Sequence, residues 1–549
     1  MARLFIESTR AAVRPLKKHE LIDPTPPATF LPVPHPFSNL IEQARLAGRA
    51  LVEYGGGLVA PTVRLGITGL SRAGKTVFIT ALVHSLVRNG RYPVFEALSE
   101  GRIARARLAP QPDDAVPRFD YEHHIAALAD DRAWPESTRQ ISELRLTIEF
   151  QSRAGAMREL ILDMVDYPGE WLLDLPLLDK SFETWSAESL ALSRREPRAK
   201  LAAPWHAHLV GLDAMAPADE SAAIAAARLF TDYLLACRDE RYALSLLPPG
   251  RFLMPGELAG SPALTFAPLD LPSEEPGAAG PGTRGSDARS GEARTGPPPP
   301  GSLWAMMRRR YEAYKDAAVR PFFRDHFARL DRQIVLIDAL AAFNAGPEAV
   351  RDLEGTLKVL LDCFAIGRKT FLSSLFRPRA DRILFAATKA DHLHHTSHDR
   401  LEAILRRMVE RAIARADVAG AAVDVIALAA VRATREAEVR RGAGGGARGD
   451  TLPCILGVPA AGEHAGGQTF DGKTEVAVFP GDLPADPNDV FAENAPAFRG
   501  LAGAGGPADA DFRFVRFRPP PPETGRDGAP ALPHIRLDRA LQFLIGDRL

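Results

Sequence analysis

The chain has 549 residues, 46% of them apolar and 25% charged, with a formal net charge of −1. That length exceeds what one hydrophobic core organises, so one elaborated domain or two are expected. The balanced charge excludes a global basic field for nucleic acid or acidic lipid, and nucleic acid is not expected as a partner. Cys237, Cys363 and Cys454 are too widely spaced for a metal pair or a disulfide framework. No apolar run reaches the roughly 18 residues of a spanning helix. The first residues lack a secretory pattern. The expected address is the cytoplasm, with peripheral contact at the inner membrane left open.

In chain order, residues 1–36, proline-rich from Pro24 to Pro36, read as an irregular arm. Residues 37–90 begin with a helix over 37–53, carrying Leu40, Ala44, Ala47 and Leu51 at helical spacing. A buried strand follows at Val63–Gly69, then a glycine-rich turn and a helix ending near Gly90. Residues 91–140 form an insertion with a helical patch at Ile125–Ala129. Leu144–Phe150 and Glu159–Asp166 are adjacent strands within a core segment, 141–169. Residues 170–330 read as a helical insertion interrupted at 262–302, where Pro, Gly, Ser and charge predict a disordered loop. Core elements return over 331–435: strands at Arg332–Leu340, Arg382–Thr388 and Val423–Val431, and a helix at Arg400–Arg415. Residues 436–549 read as an extension with short β-like pieces, including an edge strand at Phe512–Phe517. It ends in a docking helix with Leu537, Leu541 and Leu544 on one face. Strands alternating with helices predict an α/β fold, a mostly parallel sheet with helices on both faces. Ligands in such sheets sit at the carboxyl ends of the strands.

The chemistry-bearing motifs fall at those ends. GLSRAGKT, Gly69 to Thr76, matches the phosphate-binding loop G-x-x-x-x-G-K-[ST] between a buried strand and an apolar helix. Gly69, Ser71, Arg72, Ala73, Gly74, Lys75, Thr76 and Val77 would wrap the phosphates with backbone N–H groups. Lys75 would reach the β- and γ-phosphates, and the Thr76 hydroxyl would ligate Mg²⁺. DYPG, Asp166 to Gly169, offers a carboxylate for Mg²⁺ and the Gly169 N–H for a γ-phosphate. Pro168-Gly169 would make a strand-ending turn in any case. TKAD, Thr388 to Asp391, supplies a carboxylate that pairs with the adjacent N–H groups of guanine and not with adenine. The Lys389 stem would cover the base, while a plain helix cap by Asp391 is the blander reading. Ala430 and Val431 would present a backbone N–H to the guanine oxygen, although a strand end explains them nearly as well.

Thr138, in WPESTR ahead of a strand, is the candidate third Mg²⁺-site residue, on a γ-phosphate-sensing loop. Arg132 and Arg139 are weaker candidates for an arginine supplied in cis. Glu170 stands where many small GTPases place a water-orienting Gln, so hydrolysis is expected to be slow or partner-dependent. Lys75, Thr138 and Glu170 form the catalytic set. His392, His394, His395 and His398 read as capping and packing residues ahead of a metal cluster.

The blocks GITGLSRAGKTVFITALVHSL (Gly66–Leu86), LDMVDYPGEWLLDLPLL (Leu162–Leu178), PFFRDHFARLDRQIVLIDAL (Pro321–Leu340), FAATKADHLHH (Phe385–His395) and PHIRLDRALQFLIGD (Pro533–Asp547) resemble the YcjX-type bacterial P-loop GTPase-like family. The resemblance spans roughly residues 40 to 549. It implies a Ras-like nucleotide core with large helical insertions, GTP/GDP and Mg²⁺ as ligands, and a link to envelope or other stress responses. The segment 262–302 departs from the family pattern. The leading expectation is a GTPase switch whose insertion reports to a protein effector, with membrane association of that effector left open. An ATPase and a non-hydrolysing, nucleotide-bound scaffold are the alternatives.

Overall fold

Aliphatic and β-branched runs spaced along the chain come together as one seven-stranded sheet. The structure, a computed structural model, describes residues 60–70, 72–88, 90, 92–136, 140–271, 297–365, 380–419, 421–440, 451–465, 468–491, 514–524 and 530–549. All of these fall in one unit, Ala60–Leu549. The expected arm at 1–36, the helix at 37–53, Ser71, Thr138 and Arg139 lie outside the described residues.

The strands are β1 (Thr62–Gly69), β2 (Ile103–Ala109), β3 (Ser142–Gln151), β4 (Met157–Asp166), β5 (Arg332–Ile337), β6 (Arg382–Ala387) and β7 (Ala422–Ala427). Their order is β2-β3-β4-β1-β5-β6-β7. From β4 to β7 every pairing is parallel, while β2 and β3 join antiparallel at one edge. The fold is thus α/β with a mostly parallel, mixed sheet, as a Ras-like GTPase core with helical insertions requires.

The two-residue period of the strands divides the core. Leu65, Ile67, Ile334, Leu336, Leu384 and Ile426 face one layer, built with α1 (Lys75–Val87), α2 (Tyr121–Ala129) and the C-terminal α9 (Leu537–Ile545). Val165, Val335, Ile337, Phe385 and Val425 face the other. That layer holds the insertion, with α3 (Phe182–Ser193), α4 (Glu220–Arg238) and α5 (Leu303–Tyr314). It also holds α6 (Ala339–Ala345), α7 (Pro347–Ala365) and α8 (His398–Ala419). Leu537, Leu541 and Leu544 are fully buried, so α9 closes the layer over α1. Among the described residues no helix is long and apolar enough to cross a membrane.

Several boundaries differ from those the sequence predicts. The segment 91–140 contributes β2 to the sheet as well as helix. The strand expected to reach Leu340 stops at Ile337, because the Asp338 carboxylate accepts the Ala341 N–H (3.1 Å) and caps α6. The strand expected to reach Val431 stops at Ala427. Beyond it Ala429 pairs with Ile535 instead of β6. Phe512–Phe517 is no edge strand where described: Phe517 makes one isolated bridge with Pro459 and is buried. The proposed loop 262–302 is too wide. Its flanks are folded, since Phe266, Ala267 and Leu269 pack under Trp185 and Tyr311, and Ser302 caps α5. The aromatic and aliphatic residues of that flank bury apolar surface that the composition of the wider segment hides. Residues 272–296 lie outside the described residues.

The insertion is fixed to the turn that follows β4. Residues Gly169–Asp179 form a 3-10 helix in which Asp174 is buried. Its carboxylate accepts hydrogen bonds from Tyr314 Oη (2.5 Å) and the Gly250 N–H (2.7 Å). Burial pushes the Asp174 carboxyl up to about 7. The folded chain therefore holds a proton there that the unfolded chain releases at the ordinary value of 3.8, so this group's contribution to stability falls as pH rises through that interval. In melting curves, Asp174→Asn is expected to gain stability relative to the native chain as pH is raised from about 5 to about 8. A constant difference across that range would contradict the assignment.

Candidate functional site

At the carboxyl ends of β1, β4, β6 and β7 lies a cavity of about 260 Å³. Its wall carries Gly69, Arg72–Phe78, Pro168 and Glu170 on one side, and Thr388, Lys389, Asp391 and Leu428–Val431 on the other. The three sequence motifs thus meet at one place although the first and last lie over 300 residues apart. Of the expected site residues, Gly69, Arg72, Ala73, Gly74, Lys75, Thr76, Val77, Glu170, Thr388, Lys389, Asp391, Ala430 and Val431 line it. Gly169 and Asp166 stand immediately behind them, while Ser71 and Thr138 lie outside the described residues.

The loop after β1 has the backbone its glycines permit. Gly74 caps α1 in the left-handed region (φ 79°), where a side chain is strained, and Arg72 shares that region at φ 63°. Lys75 Nζ lies 2.9 Å from Asp166 Oδ1 and donates to the Tyr167 carbonyl at 2.9 Å. Thr76 Oγ1 donates to the Glu136 carbonyl at 3.2 Å, bringing the segment before Thr138 over the loop. Thr76 and Asp166 together offer hard oxygen donors at the end where Lys75 enters the cavity, a donor set that fits Mg²⁺.

The DYPG turn is pressed against this loop. A Cβ built on Gly169 would lie 2.3 Å from the Gly69 carbonyl oxygen and 3.1 Å from Leu70 N, so only glycine fits. Glu170 is buried, and its Oε1 has no hydrogen-bond partner among the described residues. Its backbone is walled by the insertion: a Cβ on Gly250 would come 2.0 Å from the Glu170 carbonyl oxygen. The Arg251 guanidinium stacks 3.3 Å over the Trp171 ring, and Trp171 Nε1 donates to the Met254 carbonyl.

On the opposite wall, Lys389 also adopts a left-handed backbone (φ 60°), and its ammonium pairs with Asp338 Oδ2 at 2.5 Å. Asp391 is 4% exposed. Asp391 Oδ2 accepts the Ala433 N–H at 2.8 Å, and Thr434 Oγ1 donates to the Asp391 carbonyl. An ionised carboxylate accepts about four hydrogen bonds, so this one retains capacity toward the cavity. The Leu428–Val431 loop is held by the C-terminal segment through paired backbone bonds between Ala429 and Ile535 (3.0 and 2.9 Å).

Sequence reasoning missed part of the wall. Trp134, Met254, His392, Arg516 and Phe517 also line the cavity. Trp134 Nε1 donates to the Phe517 carbonyl at 2.7 Å, and the Phe517 and His392 rings meet edge to face, 5.5 Å between centroids. Trp134 lies in the WPESTR stretch and His392 in the histidine run, but no short pattern marks Met254, Arg516 or Phe517 as wall residues. Arg132, weighed as a cis arginine, instead donates to the Pro519 carbonyl and does not line the cavity. The packing of Gly169 predicts that Gly169→Ala lowers Tm more than Gly74→Ala. The first forces backbone apart, about 1–3 kcal/mol of overpacking, whereas a Cβ on Gly74 meets open space and carries only local strain. Equal shifts would show that the turn yields freely.

Comparison with known proteins follows the same span. A family model described as "YcjX-like family, DUF463" matches residues 63–549. A Ras-like GTPase YcjX of Escherichia coli (strain K12) is 36% identical over 501 residues, covering 89% of this chain and 96% of that protein. A Ras-like GTPase YcjX of Shewanella oneidensis is 33% identical over 513 residues, covering 89% and 94%. With a sheet of Ras-like type, three motifs at one cavity and similarity along almost the whole length, the chain belongs to the YcjX-like family of GTPase-like proteins.

Proposed function

We propose that the chain binds GTP and GDP with Mg²⁺ and acts as a nucleotide switch with slow or partner-dependent hydrolysis. The observation that carries this reading is the single cavity lined by both the Gly69–Thr76 loop and Asp391. In this reading Lys75 exchanges Asp166 and the Tyr167 carbonyl for the β- and γ-phosphates, and the backbone N–H groups from Ser71 to Val77 wrap them. Thr76, Asp166 and Thr138 would hold Mg²⁺, which would offset phosphate charge. Asp391 would accept the guanine N–H groups, with Thr388, the Lys389 stem, Ala430 and Val431 enclosing the base. Gly169 N–H would sense the γ-phosphate. Glu170 would orient or deprotonate the attacking water, its buried oxygen being available for a hydrogen bond.

The insertion supplies the output. It begins at the residue after Gly169 and grips Glu170 and Asp174 through Gly250, so movement of the turn must move helices. A protein effector, in the cytoplasm or at the inner-membrane surface, would read that movement. The family resemblance suggests a stress response as the setting.

The test is binding of fluorescent GDP, GTP and ATP analogues with Mg²⁺. GDP affinity is expected to fall about 10²-fold in Asp391→Ala, because a base-reading carboxylate is lost, and more than tenfold in Lys75→Ala. ATP binding that survives Asp391→Ala would replace this reading with the ATPase one. Phosphate release is expected to vanish in Glu170→Ala with GDP affinity retained. No release from the native chain, with lysate or lipid added, would favour the nucleotide-bound scaffold.

A further inference from the structure

The loop that follows Asp391 carries His392, His394, His395 and His398, and the fold sorts them. His392 is buried against Phe517 at the cavity, and one nitrogen of His398 lies 3.3 Å from the Leu393 carbonyl. The other two meet a carboxylate that the sequence places far away. Glu436 sits in β8 (Arg435–Arg440), and one ligand atom from each of His394, His395 and Glu436 lies within 4.8 Å of the others. We propose that these three residues form a binding site for a borderline transition-metal ion of the Zn²⁺ or Co²⁺ class.

The side chains are already oriented. His394 Nδ1 is 3.1 Å from Thr396 Oγ1, which leaves its other ring nitrogen without a hydrogen bond among the described residues. His395 Nδ1 is 2.9 Å from Glu436 Oε2, and the two imidazole centroids are 4.3 Å apart. Glu436 Oε1 is 3.4 Å from Arg432 Nη2, so Arg432 fixes the carboxylate while Oε2 faces the histidines. Ligand atoms about 2.0–2.2 Å from a tetrahedral ion lie roughly 3.5 Å apart. Closing from the observed spacing needs only side-chain rotation, and the His395 side chain, 61% exposed, is free to make it. Two imidazoles and one carboxylate suit Zn²⁺, Co²⁺ or Ni²⁺, whereas Mg²⁺ prefers oxygen donors and water. This site is therefore chemically distinct from the Mg²⁺ position at Thr76 and Asp166. The exposed side leaves a coordination position for water.

Its place in the fold gives the ion a task. The ligands join the segment 391–396 to the start of β8. The same two segments are joined by the Ala433 N–H to Asp391 Oδ2 and by the Thr434 hydroxyl to the Asp391 carbonyl. A bound ion would brace the Asp391 carboxylate from outside the cavity.

The test uses the full chain, freed of metal with a chelator and titrated with Co²⁺ by visible absorbance and with Zn²⁺ by calorimetry, in excess Mg²⁺. One equivalent is expected, with cobalt bands of mixed nitrogen and oxygen ligation and a rise in Tm with added Zn²⁺. His395→Ala and Glu436→Gln should each weaken binding tenfold or more while keeping the metal-free Tm. His398→Ala should bind as the native chain does. Absence of a cobalt spectrum, or unchanged affinity in both ligand variants, overturns the site. Metal binding is read without nucleotide, so its failure is distinct from failure of the guanine reading.

Discussion

Gly169 passes so close to Gly69 that a methyl group there would lie 2.3 Å from a carbonyl oxygen. This backbone-on-backbone contact, with the Lys75–Asp166 pair beside it, locks the ends of β1 and β4 into one surface at the cavity. Everything else at the cavity is referred to it. The Lys75 and Asp166 side chains are 10% and 2% exposed, so the pair works at reduced screening and is costly to break without a replacement partner. In the proposed reading a polyanion at the loop would be such a replacement for the ammonium, which would make ligand arrival and reorganisation of the turn one event.

The consequences run outward through the insertion. Gly250 touches the Glu170 backbone at a distance that admits no side chain, and Asp174 accepts hydrogen bonds from Tyr314 and the Gly250 N–H, both in the insertion. The insertion is itself bolted to the sheet-side helix α7. The buried Arg198 guanidinium pairs with Asp352 at 2.5 Å, and Asp352 Oδ2 accepts the N–H groups of Ser245 and Leu246. Removing one partner of such a pair strands a buried charge, so the joint is rigid. In the proposed switch, a rigid body joined at the residue after Gly169 would convert a small change at the turn into displacement of helices.

The opposite wall depends on the C-terminal extension. Asp391 is positioned by Ala433 and Thr434, the Leu428–Val431 loop by Ile535, and Phe517 closes the rim beside His392. The Asp391 wall of the cavity is therefore completed by residues remote in sequence. It shares its support with the histidine and glutamate cluster on the outer surface.

The sequence by itself determined the sheet and the end at which the cavity opens. The buried strands announce themselves by apolar runs, and GLSRAGKT, DYPG and TKAD carry constraints that are local: glycines for backbone approach, a lysine and a threonine at fixed spacing, a carboxylate at a strand end. It also marked α9, because a docking helix is written as a periodic apolar face. Tertiary structure alone decided the rest. The strand β2 is legible only once β3 offers an edge to pair with. The folded flank at Phe266 depends on Trp185 and Tyr311, more than forty residues away on either side. Trp134 and Phe517 reach the rim, and Glu436 reaches the histidines, by chain reversals that no short window records. Local propensity and spacing fix what one segment can become, whereas partnership between distant segments is a property of the packed whole.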